Sequence, residues 1–332
     1  MTKILNHINT YADLTAYNND TNKDYPNVSY IVEDDIVLFD NEVKYEEQYF
    51  TIESLEDDNE IMFKLKVWTT SASPAKTISV STDGGKTWTN YTSTTGGTTI
   101  ATLNKGEKIL IKGNNNNYYD NSTGYNHFTA NKKFDVNGNI MSLIYGDDFK
   151  EQYSFPTGTT YNFDFIFDSA PVVSAENLIL PATTLATHCY QSMFGGCTSL
   201  TTAPVLPATT LATHCYQYMF QNCTSLTTAP ELPATTLASY CYSNMFGGCT
   251  SLTTAPELPA TTLASYCYQN MFYGCSNLNY IKAMFTTTPS SAYTSNWVVG
   301  VASSGTFVKN SDATWNVTGT SGVPSGWTVV TE

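Results

Sequence analysis

The chain contains no arginine. Its 332 residues carry 15 lysines against 29 aspartates and glutamates, for a formal charge of −14. Phosphate backbones and base edges are gripped mainly by the two-pronged guanidinium group. An acidic chain without that group is not expected to take nucleic acid as a partner. No apolar run approaches the ~20 residues of a bilayer span, so membrane insertion is not expected either. The opening residues, Met1-Thr-Lys-Ile-Leu-Asn-His-Ile-Asn, lack the apolar core of a secretory signal. Cysteine is missing outside residues 189–275, where all eight thiols lie. Their C-x7-C spacing is not that of a zinc site, and no His/Cys cluster converges on them. Acidic pairs such as Asp34-Asp35, Asp57-Asp58 and Asp147-Asp148 do not match calcium-loop spacing and read as solvated turns. No metal, cofactor or catalytic residue is expected.

What is present is repetition. A 26-residue unit is written four times, beginning at Leu180, Leu206, Leu232 and Leu258. The units share L-P-A-T-T-L-A-x-x-C-Y-x-x-M-F-x-x-C-[TS]-[SN]-L, and T-T-A-P-[VE] links the first three onward. A fixed period of this length is the signature of a stacked-repeat architecture. Leu185, Leu211, Leu237 and Leu263 form one column, and Leu200, Leu226, Leu252 and Leu278 another. Met193-Phe194 recurs at 219–220, 245–246 and 271–272. One cysteine column is Cys189, Cys215, Cys241 and Cys267; the second is Cys197, Cys223, Cys249 and Cys275. About eight side chains per unit gain roughly 1.5–3 kcal/mol each on burial. Ordering the unit costs on the order of 1–2 kcal/mol per residue. One unit cannot fold alone, so its neighbours must supply the difference. Thiols stacked at strand spacing, ~4.8 Å, have parallel Cβ vectors. They read as free, buried, small hydrophobes, with occasional cross-coil bridges as the alternative.

The run M-F-x-G-C-T-S-L-T-T-A-P-E-L-P resembles the BspA-like class of leucine-rich repeat over about 161–281. Met stands here where that class has Ala before Phe, and the unit is longer than its commonest version. The resemblance implies a right-handed, mainly β solenoid with a helical turn around Met-Phe. It also implies surface recognition or adhesion, and supplies no catalytic residues.

The fold class expected for the whole chain is mainly β. Residues 1–45 read as a docking or oligomerisation segment, with strand-like runs at 28–32 and 36–39 joined by Glu33-Asp34-Asp35. A solvated hairpin is the plainer alternative. Residues 46–133 read as an immunoglobulin-like β-sandwich, with strands at 49–52, 61–68, 77–81, 87–91, 98–103 and 108–112. A polar, aromatic loop is expected at 114–119. Within this domain Ser81, Asp83, Gly85, Thr87 and Trp88 form an Asp-box, S-x-D-x-G-x-T-W, similar to those of sialidases. Those enzymes clamp their substrate with arginines, and this chain has none; a single box reads as a structural hairpin turn.

Residues 134–179 read as an opening cap of strand, turn and strand. A degenerate first coil follows, with Phe165-Ile166, Ser169 and Val172 in the places of Met193-Phe194, Cys197 and Leu200. The link after Val172 is two residues longer than its equivalents, which predicts a bulge. Residues 180–281 are the four repeats. Residues 282–332 read as a closing cap with a polar loop at 285–295 and strands at 305–309 and 326–330. Trp297, Trp315 and Trp327 are placed either over the last Leu column or as a carbohydrate platform.

Function is sought in the columns that vary between units. These give a candidate recognition face of His188, His214, Tyr240, Tyr266, Gln191, Gln217, Tyr218, Gln269 and Tyr273. Such side chains suit hydrogen bonding and stacking against a glycan or protein, although a plain exposed face would look the same. His188 and His214 have no visible nucleophile or orienting acid.

The whole arrangement resembles the repeat-bearing surface and virion proteins of gut Bacteroidales and their phages. The expectation is a non-enzymatic phage fibre or decoration protein at the virion surface, homo-oligomeric, held to other virion proteins by its N-terminal region. A cellular BspA-like adhesin at the bacterial surface is the alternative.

Overall fold

The computed structural model describes residues 48–68 and 75–332, together with the backbone of β1 (Asn9–Tyr11) and β2 (Tyr30–Val32). The chain divides into two compact units, Met1–Tyr45 and Glu46–Glu332. In the first, β1 and β2 pair in parallel, Asn9 opposite Tyr30. The strand-like run at 28–32 contains β2; the run at 36–39 and the Asp34-Asp35 turn lie outside the described residues.

The second unit is mainly β and opens with β3 (Phe50–Ser54), β4 (Asn59–Val67), β5 (Thr77–Ser81), β6 (Thr89–Thr92), β7 (Thr98–Leu103) and β8 (Lys108–Gly113). Then come β9 (Tyr119–Asp120), β10 (Gly124–Ala130) and β11 (Phe134–Asn139), and later β12 (Leu178–Ile179). One sheet has the order β7-β4-β10-β9 and the other β12-β11-β3-β8-β5-β6. β4 shows why they form layers: Ile61, Phe63 and Leu65 are buried, Met62 and Lys64 between them are half-buried, and Glu60 and Lys66 on either side are exposed. The inward faces meet where the Phe50 ring of β3 lies 5.4 Å from Phe128 of β10.

Four expectations for this region are corrected. The polar loop at 114–119 ends in a fully buried Tyr118 and the strand β9. β10 lies outside the expected strands; Asn126 and His127 interrupt its apolar alternation, and both are buried. β11 belongs to the six-stranded sheet beside β3, so that sheet runs past residue 133. The rest of the opening segment is a one-turn helix, Ser142–Tyr145, and a 3-10 turn, Gly146–Phe149, rather than a second strand.

From residue 161 the chain winds into coils that stack on this body. The first coil joins both sheets: Tyr118 and Phe128 donate backbone N–H groups to Asn162 O and Ile166 O, and Phe134 donates to Pro171 O. The Phe167 ring lies 5.8 Å from Phe50 and 5.1 Å from Phe194, so one core runs from the sheets into the stack.

Each coil follows a rhythm of alternating bonds. His188, Tyr190, Ser192, Phe194 and Gly196 donate N–H groups to Thr213, Cys215, Gln217, Met219 and Gln221 of the next coil. The N–H groups between them turn back to the carbonyl three residues earlier, as Met193 does to Tyr190. His188, Ser192 and Gly196 have φ of 59°, 50° and 74°. A left-handed residue every fourth position reverses the local path before a helix can propagate. The expected helical turn around Met-Phe is therefore a chain of turns. No strand, α-helix or 3-10 helix is assigned within residues 180–279.

The register of the first coil is one residue later than the sequence alignment placed it. Phe167 N–H donates to Met193 O as Phe194 does to Met219 O, so Ile166-Phe167 stands in the Met-Phe place. Ala170, not Ser169, occupies the cysteine column, while Val172 keeps the leucine place with one residue fewer between them. The longer link forms a turn at Glu176-Asn177 that leads into β12, paired in parallel with β11.

The stack also continues past the fourth unit. Phe272 and Gly274 donate to Trp297 O and Val299 O, and Asn296 and Gly300 repeat the left-handed positions with φ of 53° and 77°. The region expected to be a polar loop is thus part of a further coil, and Phe285 within it is fully buried. β13 (Tyr280–Ala283), β14 (Thr306–Lys309) and β15 (Thr328–Thr331) finish the chain as a parallel sheet. Trp297, Trp315 and Trp327 are at most 7% exposed, which removes the platform alternative. Their indole N–H groups donate to Gly322 O, Phe285 O and Ala302 O.

Candidate recognition site

The variable columns separate into two kinds once the coils are stacked. Ring positions align into a ladder along one edge: Tyr161, His188, His214, Tyr240 and Tyr266, with centroids 4.3, 4.5, 4.7 and 4.8 Å apart. Interplanar angles stay at or below 18°. Each ring sits on a residue or beside residues fixed by the left-handed turn, so the coil spacing dictates the ring spacing. The interior rings cover each other's faces and present only edges and polar tips.

The glutamines brace this ladder from within. Gln191 Oε1 bonds His188 Nδ1, and Gln217 Oε1 bonds His214 Nδ1 at 2.8 Å. Gln217 is 9% exposed, and Ser192 and Ser243 in neighbouring places are buried, so these variable positions are not a free face as expected. Gln191, Gln269 and Tyr218 are half-buried. Tyr266 and Tyr273, at 36% and 51%, are the exposed members of the set. Burial lowers the His188 imidazole below its usual range, helped by the adjacent His214 and opposed by the Gln191 bond.

Tyr161 was absent from the sequence-derived face. Its signal was weak because the first coil retains the ring position but little else of the consensus. The ladder runs on from Tyr161 into the sheets through Tyr119 at 4.9 Å, then Phe165 and Tyr125. Beneath this junction lies Asp164, fully buried, with neither carboxylate oxygen in a hydrogen bond. Burial, reinforced by Asp168, pushes its carboxyl up to about 9, and the Phe165 backbone offsets this only in part. The nearby donors are committed elsewhere: Tyr125 Oη donates to Asp168 at 2.5 Å, and Lys66 Nζ sits 3.7 Å from the same carboxylate. His127 is lowered to about 4 by burial.

A second set of columns fills the core. The Tyr190, Tyr216, Tyr242 and Tyr268 rings stack at 5.7–6.0 Å. All eight cysteines are free and buried, and burial raises their thiols above the usual range. The second cysteine column has a visible task. Cys197, Cys223, Cys249 and Cys275 donate S–H groups to the carbonyls of Phe167, Phe194, Phe220 and Phe246, at 3.0–3.2 Å.

The Asp-box residues form the β5–β6 hairpin turn. Asp83 accepts from Ser81 Oγ, Thr87 Oγ1 and the N–H groups of Lys86 and Thr87. Gly85 N–H donates to Ser81 Oγ, and Trp88 Nε1 donates to Gly85 O. The Trp88 ring lies 4.1 Å under Lys112 Nζ, whose ammonium pairs with Asp147. Both carboxylate oxygens of Asp83 are bonded inside the turn, so the residue holds the hairpin.

On the opposite flank the T-T-A-P-[VE] links line two adjoining shallow grooves of 420 Å³ each, edged by Glu176, Glu231 and Glu257. Ala229 and Glu231 line both, and Val205, 73% exposed, lines the first. Among the described residues no three His, Cys, Asp or Glu side chains converge as metal ligands, and no helix is long and apolar enough to cross a membrane. Compared with protein-family models, curated proteins and solved structures, the chain matches none.

Proposed function

We propose that the protein is a non-enzymatic phage virion component, a head fibre, decoration protein or tail fibre. In this reading its stacked units form a BspA-like leucine-rich repeat solenoid that meets a host-surface glycan or protein. The observation that carries recognition is the ring ladder, a regular, uncharged aromatic edge built from the columns that vary between otherwise near-identical units. Core columns are held constant by packing, whereas the edge is free to change its chemistry without disturbing the stack.

The cysteine-to-carbonyl bonds support the solenoid reading, because leucine-rich repeats place Asn or Cys at this buried turn. The two sheets support an immunoglobulin-like body: β4 pairs with β7 and β5 with β8, as strands B with E and C with F do in that sandwich. The first and last strands depart from it, β3 pairing with β8 and β10 with β4. The separate unit Met1–Tyr45 is assigned to attachment and oligomerisation.

Two measurements test this. The first is solution mass of the full chain and of a chain beginning at Glu46. A stable oligomer that becomes monomeric on truncation supports the virion role; monomers in both cases move the assignment to a cellular adhesin. The second is binding of the labelled full chain to intact host cells. Absence of binding across candidate hosts rejects the recognition role.

A further inference from the structure

The ladder stops one coil before the stack does. Asn270 and Phe272 donate to Ser295 O and Trp297 O as Asn244 and Phe246 donate to Gln269 O and Met271 O. Ala292, three residues before Ser295, therefore falls where Tyr266 falls before Gln269, although its backbone has left the left-handed conformation of the ring positions. Five coils in succession fill that column with His or Tyr, and the sixth places a methyl group there. Ala292 is exposed, and Tyr266 is the exposed member of the ladder at 36%. One face of Tyr266 is covered by Tyr240 at 4.8 Å; among the described residues no ring lies on the other.

The surroundings narrow what can stand there. Between Glu257 and Lys309 the only charged residue is Lys282, and its ammonium is paired with Glu257 and Glu332. A charged ligand would find no counter-charge in these coils. Polar groups are present: by the register that sets Gln191 beside His188 and Gln217 beside His214, Gln269 accompanies Tyr266 and Ser295 accompanies Ala292. Asn296, next in sequence, is exposed. A flat apolar face with uncharged amide and hydroxyl groups at its rim suits a ring with C–H groups on one side and hydroxyls around its edge.

We propose that the open face of Tyr266, over Ala292, is a subsite for one neutral pyranose ring of a glycan, which takes the place of the ladder's missing sixth ring. This rests on the recognition role proposed above and names its ligand class. Gln269, Ser295 and Asn296 supply hydrogen bonds to the sugar hydroxyls. The interior rings of the ladder, with both faces covered, hold the shelf at a fixed height and do not stack on sugar themselves.

The test uses the full chain and a panel of neutral methyl pyranosides (gluco, galacto, manno and N-acetylglucosamine forms), read by saturation-transfer NMR. At least one pyranoside should receive saturation, strongest on the C–H face of its ring. Ala292→Tyr fills the step with the chain's own ring, and Tyr266→Ala removes the shelf. Each should weaken the signal at least about tenfold, the scale of a lost aromatic contact. Val205→Ser, on the opposite flank, should leave it unchanged. Both variant sites are at the surface, and an unchanged melting temperature confirms the fold. No signal from any pyranoside, or full signal from Ala292→Tyr, overturns the proposal. Host-cell binding measured alongside separates the two ideas. Cells bound without pyranoside binding rejects the subsite and keeps recognition; the reverse rejects recognition and keeps the subsite.

Discussion

Replacing Asp164 by Asn should stabilise the protein at neutral pH and reshape its pH dependence. The carboxyl is fully buried at the junction of sheets and stack, with no side-chain donor and only the Phe165 backbone to offset its burial, and its pKa is raised from 3.8 to about 9. A raised carboxyl binds its proton more tightly in the folded state. Its contribution is therefore complete below the unfolded value and is lost as pH climbs from about 4 towards 9. Each pH unit in that window costs about 1.4 kcal/mol, so at pH 7 the ceiling is about 4 kcal/mol. The buried amide of Asn needs an acceptor of its own, which returns about 1–3 kcal/mol. The expected net gain at pH 7 is about 1–3 kcal/mol, vanishing or reversing near pH 4. Urea unfolding of the wild-type and variant chains across this range, followed by circular dichroism, gives the difference directly, with the other carboxylates cancelling. A stability difference that does not change with pH would refute the reasoning. So would a variant weaker at pH 8 than at pH 4, since the carboxylate would then be ionised and partnered.

Three further outcomes follow from the stack. Tyr216 carries a buried hydroxyl without a partner, so Tyr216→Phe should be neutral or stabilising by up to about 1 kcal/mol in the same unfolding assay. Cys223→Ala removes the S–H bond to Phe194 O at 3.2 Å and leaves a small void, costing about 1–2 kcal/mol, whereas Cys223→Ser, which keeps a donor, should lose less. Gly248 has φ 78°, and a Cβ there would stand 2.2 Å from Asn222 Oδ1. Gly248→Ala should therefore cost more than about 1 kcal/mol by thermal melting, whereas a change at open Gly106 is limited to its backbone strain.

Much of the core was legible in the repeat. Columns that recur every 26 residues must meet in space, and Phe194, Cys197 and Leu200 with their equivalents do so, all fully buried. The Asp-box was legible as a turn because its bonds are local. Misreadings arose where meaning depends on a distant partner. β10 carries Asn126 and His127 in a buried strand, which only the first coil packed over it makes possible. The first coil was aligned on Val172, and a single missing residue displaced Phe167 and Ala170 from view. The final coil had shed every consensus side chain, and only Asn296 and Gly300 kept its left-handed positions.

By itself the sequence determined the period and the buried Met-Phe, cysteine and Leu200 columns. Those properties are written residue by residue, since side-chain volume needs no context to be read. The sequence did not determine the buried Tyr190 column, nor that Leu211, Leu237 and Leu263 stay partly open. Only the tertiary structure decided which variable positions are accessible. It buried Gln217 and Ser243, lined the ring positions into a ladder, and ended that ladder at Ala292. Exposure and stacking are set by what the neighbouring coil places 4–5 Å away, as the 4.3–4.8 Å ring spacings record. That neighbour lies 26 residues off in the chain and is brought near only by the fold.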